Sequence, residues 1–154
     1  MRISVSVEIE RSKAEVWSAI TDIENAQHMI SGILALKIIH KPEDGIVGLK
    51  WTETRKMFGK EASETMWITE SKSEEFYRTR AESHGSLYLT KMAIKELDAD
   101  TTELTMSFSA EAQSKMIKII SSIMGLFVNK SMKKMLLSDL QEIKKYVEAQ
   151  PTLS

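Results

Sequence analysis

The chain has 154 residues, 42% hydrophobic and 28% charged, with a formal net charge of -1 and no cysteine. That length suffices for one domain that buries its own core. The near-neutral charge gives no field for capturing nucleic acid, and the lack of cysteine excludes disulfides, a thiolate nucleophile and a Cys-ligated metal.

At the N-terminus Ile3, Val5, Val7 and Ile9 alternate with polar residues. This predicts a strand and not the continuous apolar run of a signal peptide, so a cytoplasmic protein is expected. Ser12 with Glu15 three residues on reads as a capping box opening a helix over 13–20. Asp22 can cap a second short helix through about Ile30, with Gly32 near its end. From Ile33 the text predicts strands at 33–41, 46–58, 61–70, 75–84, 86–97 and 101–110, separated by hairpin punctuation at 42–45, Gly59-Lys60, 71–74, Gly85 and 98–100. Six such strands make an antiparallel meander, and the N-terminal strand must join it at an edge, giving seven.

Residues 113–147 read as helix, with Met116, Ile120, Ile123, Phe127, Leu136, Leu140, Ile143 and Val147 recurring at helical steps. A straight helix of that length would span about 52 Å at 1.5 Å per residue, so a break is expected near Met124-Gly125. Its longest apolar stretch, 116–128, is interrupted by Lys118, Ser121 and Ser122. It is shorter than the roughly 20 residues of a membrane span, so no stable membrane insertion is expected. Residues 1–148 form one expected domain, and 149–154 a flexible tail.

This order of elements resembles the helix-grip fold of the START-like (SRPBCC) superfamily, which includes the polyketide cyclase/dehydrase and birch-pollen-allergen families. The local text adds to the resemblance: Val16-Trp17 followed by Thr21-Asp22-Ile23-Glu24-Asn25 at the helix entry, then Gly45-Ile46-Val47-Gly48 before the run Trp51 to Lys60. It departs at His28-Met29, where many relatives carry Trp followed by Pro. The resemblance implies an α+β fold with a seven-stranded curved antiparallel sheet wrapped around a long C-terminal helix, two short helices after strand one, and an internal cavity.

Alternation places Val47, Leu49, Trp51, Glu53, Arg55 and Met57 on one inward row, because the opposite facing would bury Lys50 and Lys56. With a Gly59-Lys60 loop, Arg55 would face Glu64, Glu53 would face Met66, Trp51 would face Ile68 and Met57 would face Ala62. Trp67 falls outside, opposite Thr52, lying over Thr and Lys stems or marking a contact surface. An inward carboxylate and guanidinium are either part of a cavity wall or a pair that saturates itself. The candidate ligand-binding residues are Trp51, Glu53, Arg55, Glu64, Met66, Tyr77, Tyr88, Met92, Met106, Phe108, Met124 and Phe127. Ten methionines suit a surface that repacks around varied apolar guests, or simply a core.

The three histidines show no metal spacing, and no G-x-S-x-G or Gly-rich phosphate loop occurs, so no metal or other cofactor is expected. His84 is a candidate base at a cavity mouth or a solvated strand end. Three readings stay open: a carrier of a hydrophobic or aromatic small molecule, a cyclase-like enzyme in which Arg55 steadies an enolate while Glu53 or Glu64 moves a proton, and an interaction protein using Trp67 and the 116–127 helix.

Overall fold

A computed structural model describes residues 2–57, 59–83, 85–112 and 115–152, the side chains of 112–129 excepted. His84 and the side chains of Met124 and Phe127 therefore lie outside the described residues. Strand β1 (Arg2–Ile9) leads into helix α1 (Lys13–Thr21), a single 3₁₀ turn (Ile23–Asn25) and helix α2 (Ala26–Met29). The strands β2 (Ile33–His40), β3 (Lys50–Met57), β4 (Lys60–Lys72), β5 (Phe76–Ser83), β6 (Ser86–Asp98) and β7 (Thr101–Ala112) follow, then helix α3 (Lys115–Ala149). One curved antiparallel sheet runs β1-β7-β6-β5-β4-β3-β2, with β1 and β2 at its edges. This is a helix-grip fold.

Local chemistry accounts for the boundaries. Ser12 Oγ accepts the Glu15 amide at 3.3 Å and donates to the Glu15 carboxylate at 3.0 Å, a reciprocal cap that starts α1. Strand β3 begins at Lys50, later than residue 46, because Gly48 turns at φ +94° while its amide bonds to Ile68 O. The β3–β4 hairpin also differs from expectation: Met57 pairs with Lys60, so Trp51 faces Met66, Glu53 faces Glu64 and Arg55 faces Ala62. Gly59, at φ +80°, immediately precedes β4, and the pairing slips by two residues. A two-residue slip keeps every side chain on its face, so Trp51 is buried, Met57 half-buried and Lys56 exposed.

α3 is a single helix without the interruption expected at Met124-Gly125. One glycine costs a helix only about 1 kcal/mol, and the chain's two prolines, at 42 and 151, lie beyond it. Its described half packs Met132, Leu136, Leu140, Ile143 and Val147 into the core against Ile3, Val5, Ile9, Met92, Ile94 and Leu104, while Lys130, Lys133 and Lys134 point to water. Arg11 Nη2 donates to Gln150 O at 3.0 Å and Lys144 donates to Glu8 O at 2.6 Å, fixing the helix end to the last residues of β1 and the turn after it. Among the described residues no helix is long and apolar enough to cross a membrane.

Leu140 has no exposed surface. Leu140→Ala should therefore lower stability by about 2–5 kcal/mol in urea or thermal unfolding, whereas Lys133→Ala should leave it within about 0.5 kcal/mol. Equal effects would remove this face of α3 from the core.

Candidate functional site

Strand register gathers the inward side chains into rows. Ile38, Trp51, Met66, Ala81, Tyr88 and Ala110 form one row across the sheet, and Ile68, Thr79, Thr90, Phe108 and Ile3 form the next. A third runs Tyr77, Met92, Met106 and Val5. Trp51, Tyr77 and Met92 are buried, but Met66, Tyr88, Met106 and Phe108 are only partly so. Tyr88 and Phe108 stack with ring centroids 6.1 Å apart, an aromatic wall on the same face as the charged residues.

Beside the Trp51 row lie Glu53 and Glu64, directly opposite each other, with Arg55 one step further along β3. The expected partner of Arg55 was Glu64. Its Nη1 instead donates to Asp139 Oδ2 on α3 at 2.9 Å, and its Nε lies 3.6 Å from Glu53 Oε2. The slip in register carried Glu64 away from Arg55, and among the described residues Glu64 has no ion pair. Asp139 was missed by the sequence reading, although it interrupts the inward stripe of α3 three residues after Leu136 and four before Ile143.

The cluster is dry enough to perturb its acids. Burial raises the pKa of Glu53, and Asp139 raises it further; Arg55 and the Trp51 indole act against this without cancelling it. Burial likewise raises Asp139, against the pull of Arg55. Tyr77, fully enclosed, is pushed up by burial and then by Glu53, and its hydroxyl donates to Ile20 O at 3.1 Å. Trp51 Nε1 and Arg55 Nε are buried and both act on the Glu53 carboxylate, Arg55 Nε from 3.6 Å, and neither makes a short hydrogen bond.

The turn before β2 closes this corner. Gly32 lies against the Arg55 guanidinium, where an added Cβ would sit 3.7 Å from Nη2. Ser31 donates its amide (2.6 Å) and its hydroxyl (2.7 Å) to the two oxygens of Glu142, one helical turn beyond Asp139. Asn25 donates to the Tyr146 hydroxyl at 2.9 Å. Elsewhere, an open recess of about 580 Å³ along β2, lined by Ala35 to Ile39 with Thr52 and Thr54, belongs to the sheet edge and not to the charged cluster. On the outer face Trp67 pairs with Lys50, whose ammonium lies 5.5 Å from the ring centroid.

The sequence pattern of the family described as polyketide cyclase / dehydrase and lipid transport matches residues 1–148. No curated protein matches the chain. Among solved structures, TTHA0849 from Thermus thermophilus superposes with a TM-score of 0.80 at 14% identity, covering 97% of this chain and 98% of that one. Zhui aromatase/cyclase from Streptomyces gives 0.79 at 11%, covering 96% and 93%. Norcoclaurine synthase from Thalictrum flavum, in complex with dopamine and hydroxybenzaldehyde, gives 0.70 at 16%, covering 99% and 89%. At these identities the likeness is one of fold.

Because Glu53 and Asp139 bind protons more tightly folded than unfolded, their contribution to stability is lost as pH rises from the ordinary carboxyl range through their raised values. Glu53→Gln should melt with the parent at pH 4 and above it at pH 8; a parallel pair of curves would mean that Glu53 titrates normally. Arg55→Met strands Asp139, and should cost about 3–5 kcal/mol at pH 7, largely recovered in Arg55→Met/Asp139→Leu.

Proposed function

The chain belongs to the polyketide cyclase/dehydrase and lipid transport family, and from that premise we propose that it is a carrier whose concave face holds an apolar or aromatic small molecule with a polar end. One observation carries the reading: the Glu64 carboxylate has no hydrogen bond or ion pair among the described residues, yet it sits beside a half-buried apolar wall of Met66, Tyr88, Met106 and Phe108. A core that merely filled itself would pair its carboxylates or omit them. Ligand sites combine such a wall with a few polar groups that fix orientation. The aromatic molecules held by norcoclaurine synthase indicate that this fold accommodates guests of that size. Trp51, Tyr77 and Met92 back the wall, and Met124 and Phe127 are proposed to complete it from α3.

A cyclase-like reaction is the second reading, favoured by the raised pKa of Glu53, which suits a group that moves a proton while Arg55 steadies an enolate. Turnover separates the two: in an enzyme Glu53→Gln abolishes product formation and spares affinity, whereas a carrier releases its guest unchanged.

Native mass spectrometry of protein from its own host should retain a small molecule. Tyr88→Ala and Phe108→Ala should each weaken a neutral naphthalene-type fluorescent probe by about tenfold, roughly 1.4 kcal/mol. Unchanged affinity in both variants, with the melting curve intact, would place the guest elsewhere.

A further inference from the structure

Hydroxyls that stand opposite each other on the outer face of the sheet bond to one another, as cross-strand hydroxyl pairs do. Ser4 and Ser107 meet at 3.3 Å, Ser6 and Thr105 at 2.8 Å, Thr52 and Thr65 at 2.8 Å, and Thr54 and Ser63 at 2.7 Å. On the inner face Thr79 of β5 stands directly opposite Thr90 of β6, in the row that runs from Ile68 to Phe108. Among the described residues these two hydroxyls bond neither to each other nor to anything else.

Burial gives that difference its meaning. Thr79, Thr102 and Asp139 are the buried polar residues among those described. Thr102 donates to Arg11 O at 2.8 Å and Asp139 accepts from Arg55 at 2.9 Å, as buried polar groups must. Thr79, 8% exposed, has no such partner. Its oxygen is not sealed either: Trp51 Nε1 and Arg55 Nε are closed off from open space, and the Thr79 hydroxyl is not. Valine would fill the same place in the strand without an orphaned oxygen, so the sheet itself has no use for this hydroxyl.

Resting on the carrier reading above, we propose that Thr79 and Thr90 form a polar floor of the cavity and hold a neutral oxygen, hydroxyl or carbonyl, borne by an aromatic guest. Phe108 stands directly across from Thr90, and Tyr88 stacks on Phe108 at 6.1 Å, so a ring lying along that aromatic pair carries its substituent to the two hydroxyls. A threonine hydroxyl both donates and accepts, so the pair complements a phenol or a ketone alike. Neither threonine is charged and their neighbours in the row, Ile68 and Phe108, are apolar, so an ionised group would be desolvated there without a counter-ion. The floor lies two inward rows from Glu53 and Glu64, about 13 Å along the strands, and is a polar point separate from the charged cluster.

Naphthol and methylnaphthalene substituted at the same carbon differ by a hydroxyl for a methyl of similar size, and titration calorimetry of both against the full chain at pH 7 reads the floor directly. Thr79→Val and Thr90→Val should each lower the affinity for naphthol relative to methylnaphthalene by about five- to tenfold. Thr79→Ser, which keeps the oxygen, should preserve the parent's ratio. Without a guest, Thr79→Val should melt at or above the parent, because a methyl replaces a hydroxyl that has no partner. A ratio unchanged in both valine variants, or a melting temperature lowered by Thr79→Val, overturns the assignment of the floor and leaves the carrier reading intact. Binding of neither compound removes the carrier reading and this inference with it.

Discussion

A guanidinium withdrawn from water between a sheet and a helix must be met by an anion, because an unpaired buried charge costs several kcal/mol. In this chain that requirement links parts of the fold far apart in sequence. Arg55 projects from β3 toward α3, and Asp139 answers at 2.9 Å from a position otherwise given to apolar residues. Apolar stripes fix which face of a helix is buried but hold its axial position loosely. A directional ion pair in the middle of the stripe selects one axial position. Gly32, packed on the same guanidinium, brings the turn before β2 into the arrangement.

The architecture was legible because each element obeys one period. Alternation in β1 through β7, glycine punctuation at 45, 59 and 85, and the capping box at Ser12 all point to a meander closed by a helix. The details that escaped share one cause, that patterns report faces and not positions along them. A two-residue slip at Gly59 leaves the facing of Trp51, Glu53, Arg55 and Met57 unchanged, so alternation is blind to it, yet it replaces Glu64 by Ala62 opposite Arg55. Asp139 escaped for a related reason: a search for apolar residues at helical spacing passes over the polar residue that occupies the same stripe. An inward arginine without an adequate cross-strand partner, set against an inward aspartate in the covering helix, is the signal that would have joined them.

Fold and site are informative to different degrees. Membership of the family covers nearly the whole chain, and superposition on proteins at 11–16% identity shows how little sequence the curved sheet and its helix require. The apolar rows meet a demand common to every such fold. The carboxylate of Glu53, buried beside Trp51 at a cost that raises its pKa, meets none of those demands. Features that oppose stability are where selection for another purpose is most readable.

The clasp between Ser31 and Glu142 bears on time as well as on shape. Both oxygens of one helix carboxylate are engaged by a single residue of the turn, at 2.6 and 2.7 Å, over the corner where the charged cluster sits. Swinging that turn aside requires two charge-assisted bonds to break together, and a barrier of that kind slows local opening of the segment. Local opening at that corner is thus governed by a serine and a glutamate outside the charged cluster, so its rate can change in related chains while the cluster itself stays intact.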